Sequence, residues 1–344
     1  MSKVSKGFDV AIVGATGMVG EAVCELLQQQ RLPVNHFYLL ASENTAGERV
    51  SFNGKYRVVK PLDEFDFSRV QIAIFCTPDE VSTTFVPKAV EAGCTVLDNS
   101  QCYVDDDDVP LVIAGVNDNA LDMLNQHRKI VANPDSIVIQ LWTVLKPIYD
   151  LVGIKKITVA TYQAVSGQGK HAIETLAKQT VSVLNGQGAK TDNRSQQIAF
   201  NLQPVIGKSV IKGHSSTELQ FIRQSQRIII DPKLQLSATC VQVPVFHGDS
   251  LVVHIEISES IGAEKVIDLL KKNNKVKVLG DLENSEYATP LTSSKNGERV
   301  FVSRIRNDLH SDYGLNMWIV GDDIRNGMAM NIVQIAEKLI KYHL

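Results

Sequence analysis

FDVAIVGATGMVG, residues 8–20, decides the fold. It joins an apolar run, Phe8 to Val13, to a glycine-spaced loop and the opening of an amphipathic segment. The run stops at Gly14, as a strand buried in a parallel sheet should. From Val19 to Gln30, apolar residues fall at Val19, Ala22, Val23, Leu26 and Leu27, which is one face of a helix. Closely spaced glycines between strand and helix let the backbone turn tightly and approach a pyrophosphate. The helix N-terminus adds N–H donors and positive potential. Gly14, Thr16, Gly17, Met18, Val19 and Gly20 are therefore candidate cofactor contacts, against the alternative of a purely structural turn.

Outward from this unit, further strands read HFYLLA, QIAIFC and CTVLDN, with a helical segment from Val81 to Glu91 between the last two. Strand and helix in alternation predict a parallel sheet covered on both faces, which LVIAG and KIVAN would extend. The texture changes after Asn133-Pro134. A helix is expected over Ile137–Tyr149, then the long alternating strand IKKITVATYQAVSG, then helices at Lys170–Leu184 and Thr217–Arg227. QLSATCVQVPV, LVVHIEIS, RVFVSRIR and LNMWIVG read as strands. The expected fold is α/β: a Rossmann-type parallel-sheet domain followed by an α+β domain with a mixed sheet. The first domain should span residues 1–133 and be completed by an amphipathic helix within 325–344, leaving 134–324 as the second. Segments 185–195 and 284–298 read as loops.

Composition narrows the function. A formal net charge of -3 offers no basic footprint for nucleic acid. The run Asp105 to Asp108 reads as a solvated loop, because four adjacent carboxylates cannot be buried unpaired. Five scattered cysteines, Cys24, Cys76, Cys94, Cys102 and Cys240, form no C-x-x-C pair, so neither a disulfide framework nor a metal site is expected. The short polar lead MSKVSKG has no signal-peptide character, and no apolar run approaches the roughly 20 residues of a membrane span. A cytoplasmic protein is the expectation. Glu43, after the second strand, is placed either to hydrogen-bond a ribose 2′-OH or to be an ordinary exposed loop residue.

Seven segments, taken in order, carry a family resemblance: GATGMVG, LASENTAG, VLDNSQCYVDDDDVPLV, VANPDSIVIQ, TYQAVSGQGK, SATCVQVPVFHGD and DDIRNGMAMNIVQIAE. Together they resemble the bacterial aspartate-semialdehyde dehydrogenases over nearly the whole chain. The resemblance implies NAD or NADP as cofactor, a second domain that dimerises, and a homodimer. In that family a cysteine nucleophile in an Asn-Pro-Asn-Cys turn forms an acyl intermediate, and a histidine moves the proton. Here the corresponding positions are Ser136 and Asp249, with Gln242 at the carboxylate anchor. Val104 and Gln220 fall where the family has cationic phosphate anchors, and Asn44 falls where it has the arginine for the NADP 2′-phosphate. His247 reads as a surface histidine. Gln163, which orients substrate in the family, is kept, as are Ser166 and Gly167 near the nicotinamide.

A serine hydroxyl is a poor nucleophile without an adjacent base, and the anchors change together with it. The pattern resembles the catalytically altered Usg-type paralogues, and the expectation from it is a chain that has lost semialdehyde dehydrogenase activity and kept a nucleotide-binding or structural role. Two alternatives stand beside it: an active NAD(P)-dependent oxidoreductase on a different carbonyl or acyl substrate, and a protein that binds partners through a surface patch.

Overall fold

The computed structural model describes residues 7–342 apart from 31, 53, 126–127, 190–195, 208, 281–285 and 296–297. The polar lead up to residue 6, His343, and parts of the expected loops at 185–195 and 284–298 lie outside these residues. The chain forms two compact units, Met1–Pro134 with Met328–Leu344, and Asp135–Gly327.

In the first unit, β1 (Phe8–Val13), β2 (Val34–Ala41), β3 (Ile72–Phe75), β4 (Thr95–Asp98) and β5 (Ile130–Ala132) form one parallel sheet. With the short edge strand Lys60–Pro61, the order is edge, β2, β1, β3, β4, β5. All four residues of β3 and all four of β4 are buried, which explains why β3 reads as an uninterrupted apolar run. Helix α1 (Met18–Gln29) crosses from β1 to β2, and α2 (Asp79–Glu91) crosses from β3 to β4. Strand order therefore turns at β1, whose carboxyl end opens into the glycine loop, where such sheets bind ligands.

One expected strand is absent. LVIAG pairs with the sheet only through an isolated bridge from Leu111 to Ala132. Asparagine side chains replace the ladder there. Asn117 accepts from the Ile113 N–H at 2.8 Å, while Asn331 accepts from the Ala114 N–H and donates to the Val112 carbonyl, both at 2.8 Å. The apolar run buries its side chains without needing strand neighbours.

The expected helix from Arg325 is also amended. Residues Asp323–Ala329 make a π-type turn, and the regular α-helix runs only over Met330–Tyr342. Asp322 fixes the turn, because its side chain accepts the Ile324 and Arg325 N–H groups at 3.0 and 2.7 Å. Ile332, Val333, Ile335, Ala336 and Leu339 of the helix join the same core as Val23, Leu26 and Leu27 of α1.

The second unit is a six-stranded mixed sheet. Its strands are β6 (Ile154–Gln163), β7 (Gln235–Gln242), β8 (Asp249–Ile257), β9 (Val276–Val278), β10 (Val300–Asn307) and β11 (Gly314–Gly321), in the order β7, β6, β8, β11, β10, β9. The outer pairs β7–β6 and β9–β10 are parallel, and the pairs between them are antiparallel. Along β8 burial alternates at Leu251, Val253, Ile255 and Ile257, the face packed beneath helix α3 (Ser136–Val152). Every residue of α3 from Ser136 to Leu145 is buried, so the helix is a core element whose N-terminus meets one end of the sheet. Among the described residues no helix is long and apolar enough to cross a membrane.

Candidate functional site

The glycine loop is a cradle closed to larger side chains. Gly14 sits at φ +82°, and a Cβ there would lie 2.3 Å from the Cys76 carbonyl oxygen. A Cβ on Gly20 would lie 2.1 Å from the Gly14 oxygen. Gly17 is the N-cap of α1 and provides no side-chain cap, so the first turn presents backbone donors to whatever approaches. Thr16 Oγ1 lies 3.1 Å from Thr45 Oγ1, which ties the loop to the turn carrying Glu43 and Asn44. Both of those side chains are exposed. Met18 and Val19 open the helix and are half-buried. Those collisions require glycine for the tight strand-to-helix turn, and the uncapped first turn of α1 leaves backbone N–H groups that a pyrophosphate would meet.

In the second unit, Ser136 is the first residue of α3, and Asp135 before it caps the helix by accepting the Ile137 N–H at 3.1 Å. Ser136 therefore stands at the positive end of a helix, a placement that favours charge building up on its oxygen. Asp249 opens β8, buried to 3% exposure. Its Oδ2 accepts a hydrogen bond from Ser136 Oγ at 3.2 Å, and its Oδ1 accepts the Ala164 N–H at 2.9 Å. Burial, reinforced by the Asp323 carboxylate, holds the Asp249 carboxyl well above the ordinary aspartate range. A carboxylate in that condition is a stronger base than a solvated one.

Gln163 and Gln242 face each other across the β6–β7 ladder. The Gln242 amide donates to the Gln163 carbonyl at 2.6 Å, and Gln168 Nε2 donates to Gln242 Oε1 at 2.6 Å. Gln163 Nε2 donates in turn to Thr161 Oγ1 at 3.2 Å. These amides form an uncharged hydrogen-bonding wall. Ser166, 1% exposed, donates through Oγ to Asp323 Oδ2 at 2.6 Å, and Gly167 beside it is exposed. Asp323 also accepts the Gly248 N–H at 3.1 Å, and burial raises its carboxyl as well.

Elsewhere the replaced anchors have structural duties or lie open. Val104 is in the core, His247 is exposed, and Glu218 closes a capping box with Ser215 while accepting the Cys240 N–H at 3.1 Å. Asp323 and Gln168 escaped the motif reading, although DDIRNG and SGQGK contained both. Adjacent aspartates straight after a buried strand were the available signal. Among the described residues, no three His, Cys, Asp or Glu side chains cluster as a metal site.

A parallel sheet with a glycine cradle, joined in one chain to a mixed-sheet unit with a serine–carboxylate pair, is the plan of a nicotinamide-dependent dehydrogenase. Residues 9–124 match the semialdehyde dehydrogenase NAD-binding domain, and residues 145–326 match the semialdehyde dehydrogenase dimerisation domain. The chain is 43% identical to aspartate-semialdehyde dehydrogenase 2 of Vibrio cholerae, over 98% of this chain and 99% of that one. It is 42% identical to the aspartate-semialdehyde dehydrogenase of Shewanella violacea, over 98% and 99%. A crystal structure of aspartate semialdehyde dehydrogenase II from Vibrio cholerae, complexed with ASA, superposes with a TM-score of 0.95 at 42% identity, covering 99% of this chain and 100% of that one. The chain belongs to the aspartate-semialdehyde dehydrogenase family.

This kinship corrects the expectation of lost activity. Relatives carrying the enzyme's name match end to end at this identity, and nothing in the matches marks a catalytically altered branch. The expectation took the replaced nucleophile, base and anchors together as a loss of function, and the end-to-end likeness to named enzymes overturns it. Ser136 and Asp249, changed together, are hydrogen-bonded to each other.

Proposed function

We propose that the chain is a working NAD(P)-dependent dehydrogenase of the semialdehyde class, with Ser136 and Asp249 acting at an aldehyde carbon. The observation that carries this reading is the 3.2 Å hydrogen bond from Ser136 Oγ to a buried carboxylate that is itself held by the Ala164 N–H. Nucleophile, base and an orienting donor are within reach of one another, the arrangement that activated hydroxyls require.

Ser136 Oγ adds to the aldehyde carbon as its proton passes to Asp249 Oδ2. The carbonyl π pair moves onto the substrate oxygen, giving a hemiacetal at Ser136. The alkoxide of this adduct can collapse to an ester by losing hydride, for which a nicotinamide dinucleotide, when bound, would supply the acceptor. Attack on the ester by phosphate or water then expels Ser136 Oγ, which recovers the proton from Asp249. Gln163 and Gln242 orient the non-reacting end of the substrate by hydrogen bonds. The relatives are named for aspartate semialdehyde, which makes it the first substrate to try. The uncharged amide wall makes short neutral aldehydes the second.

Gly14, Thr16, Gly17, Met18, Val19 and Gly20 would hold the pyrophosphate, and the family resemblance assigns Ser166 and Gly167 to the nicotinamide. Glu43 and Asn44 offer no cation for a 2′-phosphate, so NAD should bind at least as well as NADP. The functional form is a homodimer. It is supported by the match to the dimerisation domain and by Val252, 41% exposed on the sheet face opposite α3. Light scattering at micromolar concentration should give twice the chain mass.

The direct test follows reduced nucleotide by absorbance, with NAD and NADP, on aspartate semialdehyde plus phosphate and on short neutral aldehydes. Turnover by the wild type, abolished in Ser136→Ala, is expected. Turnover unchanged in Ser136→Ala, or none with any aldehyde, overturns the reading.

A further inference from the structure

Helix α3 carries a second polar side chain on the face of Ser136, one turn on. Gln140 is fully buried, and among the described residues neither atom of its amide has a hydrogen-bond partner. An amide at 0% exposure with both ends unmatched is uncommon in a folded core, where buried polar groups are nearly always paired.

Its place explains what the amide is near. A Cβ on Gly321 would lie 2.5 Å from Gln140 Cδ and 2.9 Å from Nε2, so the amide fills the slot that a side chain at 321 would occupy. Gly321 is the direct partner of Asp249 in the antiparallel pair β8–β11. Side chains directly opposite in such a pair share a face, with Cβ atoms about 4.5–5.5 Å apart. The amide is therefore the neighbour of the Asp249 carboxylate on the side turned toward α3. That carboxylate receives one hydrogen bond on each oxygen and keeps acceptor capacity on both.

We propose that Gln140 is a positioning residue for Asp249, its amide donating to the carboxylate through one bridging water and favouring the ionised, proton-accepting form. The groups facing Asp249 make such a donor useful. From α3 come Ser136 and the Asp135 carboxyl, and from the turn after β11 comes Asp323. From β7 comes the Cys240 thiol, itself pushed up to about 12, chiefly by burial, with Glu218 bonded to its backbone N–H. Both carboxylates oppose ionisation of Asp249, and the Gln140 amide acts against them. The small residue at Gly321 is what lets the amide reach this slot.

The inference rests on Asp249 being the base, and its test separates the two. Gln140→Met keeps the volume of the side chain and removes its polar atoms, a change that cores usually accept. Carbon-13 NMR of the aspartate-labelled protein, with the Asp249 signal identified by its loss in Asp249→Asn, reads the carboxyl titration without any activity. The expected result is an Asp249 midpoint moved to higher pH in Gln140→Met. The acid limb of kcat/KM should move with it, so that activity on the limb falls several-fold while the alkaline plateau is kept. Gln140→Asn, which withdraws the amide by one methylene, should move the midpoint the same way and serves if the methionine variant does not fold. An unmoved midpoint, with the variant simply more heat-stable, overturns the inference and makes Gln140 a packing residue. A shifted midpoint in a protein that turns over no aldehyde keeps the positioning role and defeats the enzymatic reading instead.

Discussion

On the proposed reading, Asp249 both serves as the base and opposes stability. Burial and the Asp323 charge raise its carboxyl, so it loses its proton only above the ordinary aspartate range. A base must be ionised to work, hence activity should rise with pH through that raised value and be lost below it. Asp249→Asn keeps the shape but cannot take the Ser136 proton, and turnover should fall by about 10²–10⁴-fold, the usual share of a general base. Calorimetry on the same variant at pH 8 should show a higher Tm, because a buried charge has been removed. Equal turnover in wild type and Asp249→Asn would remove the carboxylate from the chemistry. Both Ser136 and Asp249 could be found in the sequence by motif position. Their contact could not, since 113 positions separate them and only the packing of β8 beneath α3 brings them to 3.2 Å. A chain read one motif at a time shows which groups have changed and not which have changed together.

Elements were legible where one physical requirement dominated. Strand β1, the glycine loop and α1 are fixed by burial on both faces, by close backbone approach and by helical periodicity, and all three are readable locally. LVIAG was misread because an apolar run states only that its side chains are buried. Where its backbone groups bond is decided by Asn331, about 220 residues away along the chain. Asn331 is 3% exposed and also donates to Asn133 Oδ1 at 2.7 Å. Asn331→Leu should therefore take the donor from the Val112 carbonyl and from Asn133 Oδ1, at a cost of about 1–3 kcal/mol each. Urea denaturation should show a correspondingly lower midpoint, and an unchanged midpoint would mean that water replaces the asparagine. Gly20→Val tests the cradle in the same spirit. With its Cβ held 2.1 Å from the Gly14 oxygen, the loop must open, and calorimetry should find NAD binding lost.

Across the whole molecule, the second unit gathers two buried carboxyls, Asp249 and Asp323, and the half-buried Asp135, each raised first by desolvation. In the unfolded chain an aspartate titrates near 3.9, at roughly the model-peptide value. Between that pH and the raised folded values, the folded protein holds protons that the unfolded chain has released. Stability then falls as pH rises, the reverse of the usual salt-bridged aspartate. The contribution is fully present below the unfolded value and is lost as pH climbs through the folded ones. Asp323→Asn isolates this effect. The asparagine oxygen can still accept the Gly248 N–H and its amide can donate to Ser166 Oγ, so one charge is removed at the cost of the acceptor that the Ser166 hydroxyl hydrogen had. The variant should melt at a higher temperature than wild type at pH 8 and at nearly the same temperature at pH 4. With one opposing charge gone, Asp249 should also ionise more readily, moving the acid limb of activity to lower pH. A Tm difference of the same size at both pH values would assign the gain to packing and leave the buried carboxyls without a part in the pH response.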